Sequence, residues 1–188
     1  EAARSSDDLE RLREAMGRLG LVHAPRPRRG AAPARPKEAP ARVRRHTSPD
    51  GDEGFPGTLT AEVRYALTGD TLDARFRATT DRTTPVNLTQ HTYFNLGRNV
   101  RPDGALDHEL RIHAARFTPV DARLIPTGEL RPVRGTPFDF TTPTRVGLRI
   151  DQDDEQLRHG GGYDHNWVVD RGGPGLVPAA RLRDPANG

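Results

Sequence analysis

Between Thr58 and Thr80 the chain alternates apolar and polar residues in two runs, separated only by Gly69 and Asp70. Leu59, Ala61, Val63, Tyr65 and Leu67 fall on one parity, against Thr60, Glu62, Arg64 and Ala66. After the turn, Leu72, Ala74, Phe76 and Ala78 alternate with Asp73, Arg75 and Arg77. A period of two is the spacing of side chains along a strand, so the segment reads as a β-hairpin with one buried and one wet face. Further strands are expected at 85–90, 108–114, 129–133, 144–150 and 164–169, with turn residues between them. The 19 Gly and 17 Pro argue for many turns and against long helices. The expected class is all-β, an antiparallel β-sandwich.

The first 46 residues have another character. Residues 5–20 read as a short amphipathic helix: Ser6 caps it, Leu9, Leu12, Met16 and Leu19 form one stripe, and Gly20 ends it. Residues 24–45 are rich in Pro, Arg and Ala and poor in bulky apolar groups, so they read as disordered or as a linker. The domain division is therefore a basic segment at 1–46 and a partial β-sandwich domain at 47–188. The basic character belongs to the first segment, with 12 Arg or Lys against 6 Asp or Glu. Residues 47–188 carry 17 against 20. Lys37 is the only lysine and no aromatic residue interleaves with the arginines, so no platform for stacking bases is present and no nucleic-acid partner is expected. No apolar run reaches the ~20 residues of a membrane helix, and no apolar leader follows the charged N-terminus. A soluble, cytoplasmic protein is the expectation. The absence of cysteine excludes disulfides and thiolate metal sites. Nothing in the sequence fixes an oligomeric state.

Five stretches hold polar residues at a density that a plain sandwich does not require. In residues 86–97, VNLTQHTYFNLG, His91 stands among Asn87, Thr89, Thr92, Tyr93 and Asn95. A lone histidine is usually structural, but so many donors and acceptors beside an aromatic ring suit a ligand made of hydroxyls. In residues 160–167, GGGYDHNW, three glycines lead into Tyr163, Asp164, His165, Asn166 and Trp167. His165, between a carboxylate and an amide, is placed to be held in one tautomer and tuned in pKa. Trp167 shares its strand parity, and either stacking on a sugar or a place in the core remains open for it.

The other three stretches carry weaker signals. His108 and His113 are five apart, on opposite faces of a strand, and read as structural or exposed. Glu129 and Asp139 lie in hairpin loops with no sign of a catalytic role. Residues 47–57, TSPDGDEGFPG, read as a turn-rich entry to the hairpin. Their acidic residues lack EF-hand spacing, so no metal site is expected.

Taken in order, SPDGDEGFPG, VNLTQHTYFNL, DHELRI, FTPVDARLIPTGELRPVRGTPFDF and GYDHNW resemble the aldose 1-epimerase family over roughly residues 47–170. The ordered set is specific, whereas any one piece is weak. The resemblance implies a galactose mutarotase-like β-sandwich, present here incompletely. It implies interconversion of the α and β anomers of hexoses such as galactose and glucose, with no required cofactor and no partner beyond a small-molecule hexose. By position in the GYDHN-type motif, His165 is implied to be the acid that protonates the ring oxygen. By position in the NHSYFNL-type motif, His91 is implied to hold and polarise the same region, with Gln90 where Asn is usual. Asn87, Tyr93, Asp164 and Trp167 are the accompanying candidates for substrate contact. The base is implied to be a glutamate C-terminal to the GYDHN motif, and an arginine and an NxLHGG-type loop are implied near the start. Residues 1–46 show none of these and read as unrelated sequence, and 171–188 reads either in the same way or as the start of a turn of a normal family member. The competing reading is a non-catalytic carbohydrate-binding β module.

Overall fold

The structure, a computed structural model, describes residues 41–97 and 103–187. They fall into two compact units, 41–92 and 93–187. The helix expected at 5–20 lies outside the described residues.

The unit 41–92 is built on one antiparallel sheet in the order β1-β2-β3, with β1 Ala41–Ser48, β2 Leu59–Thr68 and β3 Thr71–Thr80. The expected hairpin is β2–β3. Thr68 pairs with Thr71 around Gly69-Asp70, and Gly69 takes the left-handed φ of 60° that such a tight turn requires. The register puts Val63 opposite Phe76 and Leu67 opposite Leu72 on one face, with Glu62 opposite Arg77 on the other. The two faces do not sort into buried and wet. Leu67 and Leu72 are each 62% exposed, while Ala66, on the polar parity, is buried. All described strands of this unit lie in this one sheet, so no second layer within it dries the apolar face.

Two further expectations are corrected here. Residues 41–45, read as part of a linker, belong to β1, which runs on through residue 46. Composition reflects apolar burial alone, and a strand can form without it. β1 is exposed along almost its whole length and is held by the backbone ladder to β2, by the Arg45–Glu62 ion pair at 2.7 Å and by Thr47 beside Thr60. Residues 85–90, expected as a strand, form none. A strand exists through its partner's hydrogen bonds, and no described strand runs alongside them.

The loop from β1 to β2 is clamped from the far end of the hairpin. Asp50 accepts from the Gly57 N–H at 2.6 Å and from Arg82 at 3.1 Å, and Asp81 accepts from the Thr58 N–H at 2.8 Å. The acidic and glycine residues of TSPDGDEGFPG thus fold the loop back on itself.

The unit 93–187 holds two small antiparallel sheets. One has the order β7-β4-β9, from β4 Glu109–Ile112, β7 Thr144–Arg145 and β9 Ala180–Arg183. The other has the order β6-β5-β8, from β5 Arg116–Thr118, β6 Arg131–Pro132 and β8 Asn166–Val168. Strands fall within the expected segments 108–114, 129–133, 144–150 and 164–169, each shorter than expected. At 144–150 the strand gives way after two residues to a 3-10 turn, Val146–Leu148. β9 lies within 171–188, the stretch open to two readings, and pairs with β4 residue for residue.

One short helix, α1 Glu155–Gly160, precedes β8. Asp154 caps it, accepting from the N–H groups of Gln156 and Leu157, and Gly161 ends it at a left-handed φ of 61°. Phe117, Val133, Phe138 and Leu157 form one buried cluster, and Ile112, Ala114 and Phe140 a second. Tyr163 and Trp167 pack against both and join them. This aromatic seam, with Phe117 stacked on Phe138 at 4.4 Å, is the floor on which the GYDHNW segment lies.

Candidate active site

His165 immediately precedes β8, three residues after the glycine turn that closes α1. Its ring meets Phe138 edge-on at 4.6 Å and Phe117 at 5.8 Å. Gly160 makes room for it, since a Cβ there would lie 3.1 Å from His165 Cε1. The imidazole Nε2 is 3.2 Å from Gln156 Oε1, and Nδ1 is enclosed with no hydrogen-bond partner among the described residues. Burial is the largest influence on this group and holds its pKa below the ordinary 6.5. Asp164 and Asp154 pull it upward and His159 pushes it further down. The result is an imidazole that is neutral near pH 7 and, once charged, a stronger acid than a free histidine.

Gln156 is itself buried and bonded at both ends of its amide. Its Oε1 accepts from the Val120 N–H at 2.7 Å, and its Nε2 donates to the Val120 carbonyl at 3.0 Å. His159 on the same helix places Nδ1 3.2 Å from that carbonyl.

The neighbouring candidates divide by role. Asp164 is exposed. The Tyr163 hydroxyl donates to the Pro137 carbonyl at 3.1 Å, and burial raises its pKa. Trp167 sits among Phe138, Phe140 and Tyr163 and donates Nε1–H to the Phe138 carbonyl at 3.0 Å, so of its two readings the structure displays the packing one. Tyr93, in the same unit as His165, is 88% exposed. Asn87 and His91 are exposed residues of the unit 41–92, in the irregular segment that follows β3.

Glu129, Asp139 and His108 serve the scaffold. Glu129 is paired with Arg131 at 2.8 Å, which lowers its pKa. Asp139 accepts from the Thr141 hydroxyl at 2.6 Å, which lowers its own. His108, read as structural or exposed, is buried. Its Nε2 accepts from the Leu96 N–H at 2.8 Å, so Nδ1 carries the hydrogen and donates to the Gly104 carbonyl at 2.9 Å. Sequence reasoning passed over Gln156 altogether. Its partner Val120 lies 36 residues away, and nothing in DQDDEQLRHG sets this glutamine apart from a solvated one. An open cavity of about 450 Å³ lies beside β4, lined among others by Arg111, His113, Thr141 and Asp170, and it includes none of the expected site residues.

Comparison with known proteins adds an independent line. The family model described as aldose 1-epimerase matches residues 33–188. The match begins inside 1–46, which corrects the reading of residues 33–46 as unrelated, and runs through 171–188, which favours the family reading of that stretch. Galactose mutarotase of Sus scrofa is 48% identical over 124 residues, which are 66% of this chain and 34% of that protein. Aldose 1-epimerase of Escherichia coli (strain K12) is 41% identical over 137 residues, 72% of this chain and 39% of that protein. The crystal structure of galactose 1-epimerase from Lactobacillus acidophilus NCFM superposes with a TM-score of 0.65 at 33% identity, covering 81% of this chain and 43% of that one. The chain thus spans between a third and two fifths of the length of these curated relatives.

Proposed function

We propose that this chain, which belongs to the aldose 1-epimerase family, supplies the acid side of a hexose mutarotase site, with His165 as the proton donor. Mutarotation breaks the bond between the anomeric carbon and the ring oxygen. The ring oxygen gains a proton while the anomeric hydroxyl loses one, leaving an open aldehyde. Rotation about the bond to the aldehyde carbon and reclosure deliver the other anomer. One acid and one base on opposite sides of the ring are needed, and they exchange roles on the way back. The observation that carries the reading is His165 itself, half-buried against Phe117 and Phe138 and held by a neutral amide, within the matched family region. A lowered pKa suits it, because a charged imidazole at this position gives up its proton readily to a weakly basic ether oxygen.

In this reading His91, Asn87, Tyr93 and Asp164 contact substrate hydroxyls, with His91 sharing the polarisation of the ring oxygen. Trp167 belongs to the aromatic floor beside Phe138, on which His165 rests. The base that the resemblance assigns is a glutamate C-terminal to the GYDHN motif, and residues 166–188 hold none. Galactose and glucose are the substrates to test, and a cytoplasmic location belongs to the same proposal. Anomeric proton signals of freshly dissolved α-D-galactose, followed by NMR with and without the full chain, test it. The expected result is equilibration faster than buffer alone, reduced about 10²–10⁴-fold by His165→Asn. Sugar binding at the uncatalysed rate would contradict it and favour a non-catalytic carbohydrate-binding module.

A further inference from the structure

We propose that Gln156 is a positioning residue of this site: its amide oxygen holds His165 in the tautomer with hydrogen on Nε2, and the Val120 peptide keeps that oxygen turned toward the imidazole. The inference rests on the reading of His165 as the proton donor.

The end of the amide that faces the ring decides the tautomer. A backbone N–H can only donate and a backbone carbonyl can only accept. The Val120 N–H at 2.7 Å therefore fixes one end of the Gln156 amide as oxygen, and the Val120 carbonyl at 3.0 Å fixes the other as nitrogen. The end that also lies 3.2 Å from His165 Nε2 is the oxygen. Amide oxygen cannot donate, so in the neutral imidazole Nε2 must carry the hydrogen. Nδ1 is then left with its lone pair, enclosed and without a partner among the described residues. The other tautomer would set a lone pair on Nε2 against the lone pairs of Oε1. The amide thus fixes the hydrogen that the neutral ring retains, on Nε2, and leaves Nδ1 as the nitrogen that takes up and gives the mobile proton.

The choice of an amide has a second effect. A carboxylate at position 156 would fix the same tautomer and stabilise the charged imidazole. The neutral amide leaves burial as the governing influence, with Asp164, Asp154 and His159 the charged or titratable groups facing the ring. Gln156 accordingly orients the donor without weakening it as an acid. It touches His165 from α1, while the glycine turn after α1 leads on to His165 itself, so one short helix sets both the position and the protonation pattern of the ring.

The test is nitrogen-detected NMR of the His165 ring in the full chain, with kinetics of galactose equilibration beside it. The wild-type chain is expected to show hydrogen on Nε2 and a bare Nδ1. In Gln156→Leu the Nδ1–H tautomer should appear, and kcat should fall on the order of 10-fold with KM little changed. In Gln156→Glu the His165 titration should move upward, and the acid limb of the pH–rate profile should move with it. A wild-type ring with hydrogen on Nδ1 would overturn the proposal, as would a His165 titration identical in wild type and Gln156→Glu. The wild-type spectrum decides even where Gln156→Leu does not fold. An Nε2–H ring in a chain that leaves galactose at its background rate would uphold the positioning while refuting the proposed activity.

Discussion

His165 and Gln156 show how differently two members of one contact can be read. Three glycines, a carboxylate and an amide around a single histidine mark position 165 in the sequence as a place where a proton is handled. Position 156 carries no such mark. Its function comes from a peptide group in a distant loop, and no pattern of side chains along the chain encodes where a backbone N–H will point. His108 is a similar case, since its value lies in the Leu96 N–H and the Gly104 carbonyl that the fold brings to it. The lowered pKa of His165 carries a consequence for stability. The unfolded chain takes up a proton at the ordinary value of 6.5, before the folded chain does. The contribution is therefore fully present above that value and is lost as pH falls through the lowered folded one. Urea midpoints measured between about pH 7 and pH 5 should fall more steeply for the wild-type chain than for His165→Gln. Parallel curves would show that the imidazole is not held in its neutral form.

Among the elements, the β2–β3 hairpin is the one the sequence displays most openly, because alternation and a Gly-Asp turn are both local signals. Its burial was not local, and the expected dry face fails at Leu67 and Leu72 for want of a covering layer in its own unit. β1 was missed because an edge strand is supported by its neighbour's backbone rather than by its own composition. The loop between them rests on Gly57, which has a φ of 85° and lies against the hairpin end, where an added Cβ would stand 2.8 Å from Arg82 Cβ. Gly57→Ala is therefore expected to cost about 1–3 kcal/mol, from backbone strain together with the displaced clamp. Chemical denaturation followed by circular dichroism measures it. A variant as stable as wild type would show that the Asp50, Asp81 and Arg82 contacts do not hold the loop.

For the whole molecule, five motifs in fixed order made the family legible, whereas its limits were drawn too narrowly. The match reaches back to residue 33 and forward through β9, across stretches rich in Arg, Pro and Ala that carry little pattern of their own. The site depends on the aromatic seam of the unit 93–187, in which Phe138 is fully buried and touches Phe117, Tyr163, His165 and Trp167. Phe138→Ala should destabilise this unit by about 3–5 kcal/mol, read as a lowered unfolding midpoint with loss of the near-ultraviolet signal of Trp167. The account as a whole turns on a proton passing from position 165 to a sugar. Its most direct measurement is polarimetry of α-D-galactose with His165→Ala as imidazole is added, each rate corrected for imidazole alone. The account predicts that the variant is slow and that imidazole restores acceleration in a saturable manner. A variant as fast as the wild-type chain would contradict it.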